Sequence, residues 1–169
     1  MLEVYTGDGK GKTTAALGLA LRACGHGWRV LFVQFMKGSP DYGEVAAARH
    51  VPGLELVQTG QATFVERGNP TPGDLAEAQR GFSLARDAVG SGRYRMVILD
   101  EMNVAIDYGL VKLDDALGLI AACPRDVELV FTGRGAKQQV IEQAALVSEV
   151  REVKHPYQMG IVSRVGVDY

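Results

Sequence analysis

The stretch of sequence that decides the fold reads Thr6-Gly7-Asp8-Gly9-Lys10-Gly11-Lys12-Thr13. It follows a short apolar run at residues 2–5 and opens an Ala/Leu-rich segment at 13–23, so the pattern predicts a strand, a glycine-rich loop and a helix. Glycines let successive backbone N–H groups turn towards one point, the helix N-terminus adds positive potential, and Lys12 supplies a full charge. The stretch therefore predicts a phosphate-binding loop in which the Thr13 hydroxyl is placed to bind Mg²⁺.

The loop is a variant of the Walker A pattern, because Thr6 stands where that pattern has glycine. A glycine-rich turn without a ligand is the alternative interpretation, but the position between a strand and a helix favours binding of nucleotide phosphate. Lys10 is a further candidate for a phosphate contact. The residues predicted to bind the nucleotide are Gly7, Asp8, Gly9, Lys10, Gly11, Lys12, Thr13 and Thr14.

A second stretch, Met96-Val97-Ile98-Leu99-Asp100-Glu101, is an apolar strand that ends in two acidic residues, as a Walker B strand does. Acids at the carboxyl edge of a parallel sheet lie beside the phosphate-binding loop, where ligands bind in such sheets. Paired with that loop, Asp100 and Glu101 are predicted to hold Mg²⁺ directly or through water. The pattern does not decide which acid contacts the metal, and by itself it also fits an exposed acidic turn.

The rest of the chain alternates short apolar runs with helical patterns, which predicts a single α/β domain over residues 1–169. This alternation implies a mainly parallel sheet with helices on both faces. Thr71 is predicted to cap a helix, with Pro72 in its first turn and Asp74 three residues on. Further strands are predicted at 30–35, 54–58, 127–132 and 150–154, and further helices at 113–120 and 137–144. The long connection 59–73 lacks periodicity, and such loops are typically functional or disordered.

Composition narrows the class of protein. The chain is 47% hydrophobic with a formal net charge of −2, which excludes a disordered chain and argues against non-specific nucleic-acid binding. No apolar run approaches the length of about 18 residues that a membrane span needs. The first residues carry no basic segment followed by an apolar stretch, so we expect a cytoplasmic protein with no membrane contact. Cys24 and Cys123 are expected to be free thiols.

Three other residues carry weaker signals. Arg134, in Thr132-Gly133-Arg134-Gly135, ends a predicted strand and suits an anion, although a solvated arginine in a tight turn fits the pattern as well. Lys37 follows another predicted strand and is equally consistent with a surface charge. His155 has no acid or serine partner in its neighbourhood and is interpreted as structural. Taken alone, these residues describe a Mg²⁺-nucleotide-binding α/β domain and leave the fate of the nucleotide open.

Several stretches that run in order through the chain resemble the P-loop type of corrinoid adenosyltransferase, the ATP:cob(I)alamin enzymes. Those stretches are residues 7–16, 33–38, 99–101, 132–135, 153–155 and 160–169, the last closing in Gly166-Val167-Asp168-Tyr169. The resemblance implies a homodimeric enzyme with a RecA-like P-loop fold. It also implies transfer of the 5′-deoxyadenosyl group of ATP to the Co(I) of a corrinoid, cobalamin or a precursor, with release of triphosphate, in adenosylcobalamin biosynthesis or salvage.

The resemblance assigns roles to individual residues. ATP would be held with its sugar turned towards the corrin, Lys12 and Thr13 would contact phosphate and metal, and Glu101 would be the metal-side acid beside Asp100. A reduced flavoprotein is the implied reductant. Two other classes stay open at this point: a small P-loop ATPase or kinase, which would release ADP, and a corrinoid-binding switch that does not turn over.

The chain departs from the family where a Phe and a Trp two residues apart commonly cover the lower face of cobalt. Here the stretch reads Thr63-Phe64-Val65-Glu66, and the single tryptophan, Trp28, lies elsewhere. Either Phe64 takes the covering role or the register shifts by one residue. The alternative is that Phe64 is a packing aromatic.

Overall fold

The computed structural model describes residues 1–168 of the chain. It contains six strands and six α-helices, two of the helices being consecutive, and a short 3-10 helix follows at Pro156–Met159. The strands are β1 (Leu2–Thr6), β2 (Val30–Phe35), β3 (Leu54–Thr59), β4 (Met96–Asp100), β5 (Glu128–Thr132) and β6 (Leu146–Glu149). The helices are α1 (Lys12–Gly25), α2 (Gly43–Ala48), α3 (Pro72–Gly90), α4 (Met102–Asp107), α5 (Leu113–Ala122) and α6 (Gln138–Gln143).

All six strands form one parallel sheet in the order β3-β2-β4-β5-β1-β6. The prediction of an α/β fold with parallel pairing is confirmed, and the arrangement is consistent with a RecA-like P-loop domain. Because every strand runs the same way, all six strand ends meet at one edge of the sheet, here called the carboxyl edge. The glycine-rich loop, Lys37, Glu101 and Arg134 each follow a strand at this edge.

Helices cover both faces of the sheet, as predicted. Helix α1 packs on one face through Ala16, Ala20 and Ala23, against side chains of β2, β4 and β5. Helices α3, α4, α5 and α6 cover the other face, where Leu99 and Phe131 are completely buried. Strands β2 and β4 are buried along their whole length, which explains their nearly continuous apolar sequence.

Helix α3 begins as its sequence predicts. The Thr71 hydroxyl accepts a hydrogen bond from the Asp74 backbone N–H at 3.2 Å, and the Asp74 carboxylate accepts one from the Thr71 backbone N–H at 2.9 Å. This reciprocal pair satisfies two backbone donors that the helix itself leaves free. The long connection that precedes α3 therefore ends at Thr71, which these hydrogen bonds hold in place.

The predicted last strand at 150–154 is wrong. The strand lies earlier, at Leu146–Glu149, and its register on β1 ends with Thr6 opposite Glu149. Beyond that pair β1 turns into the glycine-rich loop, so the sheet offers no further partner. The Val150 carbonyl instead accepts the Gly9 backbone N–H at 2.7 Å, and the chain leaves the sheet to follow the loop.

Sequence periodicity also missed two helices. Helices α2 and α4 have six residues each, which is less than two turns and too short for a repeating apolar face. The prediction of free thiols at Cys24 and Cys123 is confirmed. Among residues 1–168, no helix combines the length and the apolar character needed to cross a membrane.

Close backbone packing holds the start of the long connection against the end of β2. A Cβ atom placed on Gly60 would overlap the backbone of Met36 and Lys37, and one on Gly38 would overlap the backbone of Gly60 and Gln61. Two segments can approach this closely only where neither carries a side chain. The glycines therefore set the position of the loop relative to the carboxyl edge.

We expect Gly60→Ala to destabilise the protein by about 1–3 kcal/mol, because the added methyl group forces one backbone segment away from the other. Urea unfolding followed by circular dichroism measures the change in the free energy of unfolding. Gly18→Ala is the matched control, since a Cβ there meets nothing within 4 Å on the exposed side of α1. That control should gain up to about 1 kcal/mol from helix propensity. Equal effects of the two substitutions would contradict the packing argument.

Candidate active site

The glycine-rich loop is held in place from outside by the segment that follows β6. A Cβ on Gly7 would lie 2.5 Å from the Val150 carbonyl oxygen, and one on Gly9 would lie 2.7 Å from the carbonyl of Arg151. Gly7 and Gly11 also have positive φ angles of 92° and 124°, which L side chains rarely adopt. The glycines of the loop are thus needed for both its turns and its close support.

Lys12 is the buried cation of the loop. Its side chain turns back so that Nζ donates a hydrogen bond to the Gly9 carbonyl at 2.7 Å, and the residue is only 8% exposed. Burial lowers the pKa of Lys12, while the negative charge of Glu101 acts to raise it. The ammonium group therefore lies inside the curve of the loop, where an anion would relieve its poor solvation.

Asp100 is the point at which three strand ends and α1 are joined. Its carboxylate is completely buried, and Oδ1 accepts hydrogen bonds from the hydroxyls of Thr13 at 2.9 Å and Thr132 at 2.6 Å. The Thr132 hydroxyl in turn accepts the Glu101 backbone N–H at 2.9 Å. The other oxygen, Oδ2, accepts from Lys37 Nζ at 2.9 Å. Both oxygens of Asp100 are therefore occupied by groups of the protein.

Glu101 differs from its neighbour. It has a positive φ of 61°, unusual for a residue with a side chain, and it lines the cleft beside the loop. Burial and the negative charge of Asp100 raise the pKa of its carboxyl group, and nearby cations partly oppose that rise. Its carboxylate accepts no hydrogen bond from residues 1–168 and is free to take a ligand.

Lys37 is a site residue whose role the sequence left undecided. Its side chain is only 17% exposed, and its Nζ lies 3.9 Å from a carboxylate oxygen of Glu44 and 5.5 Å from the centre of the Tyr42 ring. Burial acts to lower its pKa, but the charge and hydrogen bond of Asp100 outweigh that effect and raise it. The surface-charge interpretation is therefore wrong.

Arg134 lies across the opening of the loop. Its guanidinium donates a hydrogen bond to the Asp8 carbonyl at 3.1 Å and lies 3.9 Å from the Asp8 carboxylate. The side chain remains 64% exposed. Arg134 thus lines the cleft with a largely exposed side chain, and its contact with an anion stays a prediction.

The last described residues return to the loop. The Asp168 carboxylate forms an ion pair with Lys10 Nζ at 2.8 Å, and Arg164 donates two hydrogen bonds to the same carboxylate. Lys10 and these hydrogen bonds hold the pKa of Asp168 well below its usual range. His155 caps the 3-10 helix by accepting the Tyr157 backbone N–H, which agrees with a structural role. Tyr169, named in the predicted family ending, lies outside the described residues.

Together these groups line an open cleft of about 570 Å³. The loop residues Gly9 to Thr14, Lys37, Glu101 and Arg134 form its base and sides, and residues 166–168 and His155 close one end. The structure brings together the predicted residues Gly9 to Thr14 and Glu101, whereas Gly7 and Asp8 lie outside the cleft lining and Asp100 lies just beneath the cleft surface. Sequence reasoning missed Thr132, Glu44 and Asp168, because their neighbours come from distant parts of the chain.

Phe64 is not part of this cleft. It is 96% exposed, within a loop, here called the 60–71 loop, that leaves β3 at the carboxyl edge. The neighbouring Val65 packs against the core, and Arg67 makes an ion pair with Asp107 at 2.8 Å. Phe64 is thus presented to solvent at the same edge as the cleft, and the residues that follow it in the loop contact the rest of the protein.

Two kinds of comparison identify similar proteins. Residues 1–169 match the family described as ATP:corrinoid adenosyltransferase BtuR/CobO/CobP. A corrinoid adenosyltransferase of Pseudomonas aeruginosa is 36% identical over 169 residues, which is 100% of this chain and 83% of that protein. One of Escherichia coli K12 is 35% identical, over 98% of this chain and 84% of that protein. An uncharacterised Nostoc protein, all2391, is 40% identical over 92% of this chain, which spans only 44% of its length.

The Asp107 ion pairs generate a prediction about the 60–71 loop. Hydrogen bonding to Lys137 and the charge of Arg67 lower the pKa of Asp107, so its ionised form stabilises the fold above the unfolded pKa of about 4. That contribution is lost as the pH falls through the lower, folded pKa. We expect Asp107→Asn to destabilise the protein at pH 7 by no more than about 1 kcal/mol, since the partners are largely exposed.

Hydrogen exchange measures the local consequence. In Asp107→Asn the amides of the 60–71 loop should exchange faster at pH 7, and urea unfolding should show the loss of stability shrinking towards pH 3. Asp126→Asn, in an exposed turn before β5, is the control. A stability difference that does not depend on pH would contradict the assignment of the ion pair.

Proposed function

This chain belongs to the ATP:corrinoid adenosyltransferase family BtuR/CobO/CobP, and we propose that it transfers the 5′-deoxyadenosyl group of ATP to the Co(I) of a corrinoid and releases triphosphate. The observation that carries the proposal is the cleft itself. Three cations, Lys12, Lys37 and Arg134, line it beside the carboxylate of Glu101, which accepts no hydrogen bond from residues 1–168. Such a set suits a polyanion bound together with a divalent cation.

The loop would bind the triphosphate. Backbone N–H groups at the start of α1 and the positive end of the helix favour phosphate there, and Lys12 adds a full charge. In the described structure Lys12 uses the Gly9 carbonyl as its acceptor. A phosphate oxygen would replace that carbonyl and give the ammonium a stronger, charge-assisted hydrogen bond.

Mg²⁺ fits the donors that the cleft offers. Within residues 1–168 no three His, Cys, Asp or Glu side chains are grouped as a complete metal site. Mg²⁺ does not need one, because it keeps several waters and commonly takes one or two carboxylates plus substrate phosphates. Thr13 and Glu101 would supply oxygen ligands, while Asp100 would orient Thr13 from beneath. Bound Mg²⁺ would neutralise charge on the triphosphate.

In this transfer the bonds form and break between the two substrates, with little covalent chemistry at protein side chains. The Co(I) electron pair attacks C5′, the C5′–O bond breaks, and its electron pair leaves with the triphosphate. Since Co(I) is itself a powerful nucleophile, no catalytic serine, cysteine or histidine is needed. The chain's tasks are to orient ATP, to neutralise the leaving group and to exclude water.

We further propose that the 60–71 loop covers the corrinoid, with Phe64 as its apolar contact. An aromatic side chain left 96% exposed on a fixed loop is suited to a flat apolar ligand. A homodimer is supported by exposed apolar side chains along β6 and the segment after it, including Leu146, Val147 and Val162. The flavoprotein reductant and a cytoplasmic location stay predictions.

The reaction is tested by mixing the protein with Mg²⁺-ATP and chemically reduced cob(I)alamin, with phosphorus NMR and the visible spectrum followed together. We expect triphosphate that depends on the corrinoid, and a light-sensitive cobalt–carbon product. Lys12→Ala should bind ATP about 10- to 100-fold more weakly with the fold intact, since a charged hydrogen-bond donor is lost. Lys112→Ala, an exposed lysine before α5, is the matched control. ADP and phosphate released without regard to the corrinoid would show an ATPase or kinase instead.

Phe64→Ala tests the covering role. With cob(II)alamin and a reducing protein, we expect adenosylation to slow by about tenfold, the loss of one buried aromatic contact, while the Kd for ATP stays unchanged. Leu21→Ala, which removes an exposed apolar side chain from α1, is the control. An unchanged rate in Phe64→Ala would remove Phe64 from the corrinoid site.

A further inference from the structure

Lys37 is a cation with unused hydrogen-bonding capacity at the edge of the cleft. An ammonium group has three N–H donors. Among residues 1–168, Lys37 Nζ has one acceptor within hydrogen-bond distance, Asp100 Oδ2 at 2.9 Å, because the Glu44 carboxylate lies at 3.9 Å. The side chain nevertheless lines the cleft together with Lys12. Two of its donors therefore remain available to a ligand in that cleft.

The backbone next to Lys37 is strained at the point where the side chain enters the cleft. Met36, the residue before it, has a φ of 60°, a left-handed conformation that costs a side-chain-bearing residue about 1–2 kcal/mol. Gly38 and Gly60 allow the backbones on either side to touch. Strain that the surrounding packing maintains is common at functional sites. Here it turns the chain at the end of β2 so that Lys37 lies beside Asp100 rather than pointing into solvent.

Lys37 also lies where the cleft meets the 60–71 loop. Strand β2 is between β3, from which the loop leaves, and β4, which carries the acids. The backbone of Lys37 packs directly against Gly60, the first residue of the loop. If that loop covers the corrinoid, as proposed above, the end of ATP that reacts with cobalt lies on the Lys37 side of the cleft. The far end of the triphosphate then lies in the glycine-rich loop with Lys12.

We propose that Lys37 is a catalytic residue that binds the phosphate group attached to C5′ and stabilises the charge this group gains in the transition state. This inference rests on the proposed function. As the Co–C5′ bond forms and the C5′–O bond breaks, the bond's electron pair passes to the departing oxygen, and the triphosphate gains one negative charge. A fixed cation beside that oxygen interacts more strongly with the transition state than with bound ATP.

A purely structural role makes a different prediction. In that case Lys37 would serve only to neutralise the buried Asp100, and every effect of its removal would pass through Asp100. The two roles are separated by a double-mutant cycle on these residues, measured as single-turnover rates at saturating Mg²⁺-ATP with cob(I)alamin.

Lys37→Met should slow the single-turnover transfer about 100-fold, the loss expected when one preorganised group is removed from a developing negative charge. The Kd for ATP should rise by less than about tenfold, since most of the triphosphate contacts remain. Lys37→Arg should recover part of the rate because it restores the charge. Lys112→Met is the matched control and should keep the wild-type rate. Weaker ATP binding with an unchanged rate at saturation would overturn the proposal.

The same substitution is then compared in an Asp100→Asn background. The double variant removes both members of the ion pair, so it leaves no unpaired buried charge and is expected to fold even where Lys37→Met alone does not. If Lys37 acts on the phosphate, the double variant should be about 100-fold slower than Asp100→Asn. Equal rates would show that Lys37 acts only through Asp100. Failure of the wild-type protein to form corrinoid-dependent triphosphate would instead refute the proposed function.

Discussion

The carboxylate of Asp100 is the contact on which the geometry of the cleft depends. It is completely buried at the end of β4 and accepts hydrogen bonds from the first turn of α1, from β5 and from Lys37, two residues after β2. A buried carboxylate left without these partners would be costly, so β4 and its three partner segments cannot drift apart independently. The relative positions of Thr13, Glu101 and Lys37 follow from this one group.

This arrangement divides the work between two adjacent acids. Asp100 points beneath the cleft and has both oxygens occupied, whereas Glu101, turned by its positive φ, faces the cleft with no hydrogen-bond donor to its carboxylate in the described part of the chain. Strand β4 ends at Asp100, and Glu101 is the first residue after it. The left-handed conformation of Glu101 turns the chain there, so its side chain lines the cleft while that of Asp100 lies beneath it. It converts a simple pair of acids into one structural anchor and one ligand-facing group.

The sequence could predict those features that depend on local physics. The strand, loop and helix around Lys12, the capping box at Thr71 and the parallel sheet follow from short-range patterns. The exact place of β6 could not be predicted, because it depends on where its partner β1 bends away. The role of Lys37 could not be predicted for a related reason. Nothing in its own neighbourhood in sequence reveals a positive φ at Met36 or an aspartate 63 residues away.

Charge explains why this cleft suits a transfer in which the leaving group gains negative charge. Three cations, Lys12, Lys37 and Arg134, act on the carboxylate of Glu101, and only Asp100 opposes them. The buried cations are held by fixed neighbours, so they need no reorganisation when charge develops on a bound phosphate. In water, solvent dipoles would have to turn at that moment. Lys12 and Lys37, held in the cleft before ATP binds, would therefore favour departure of the triphosphate in the proposed transfer, while Co(I) would supply the nucleophile.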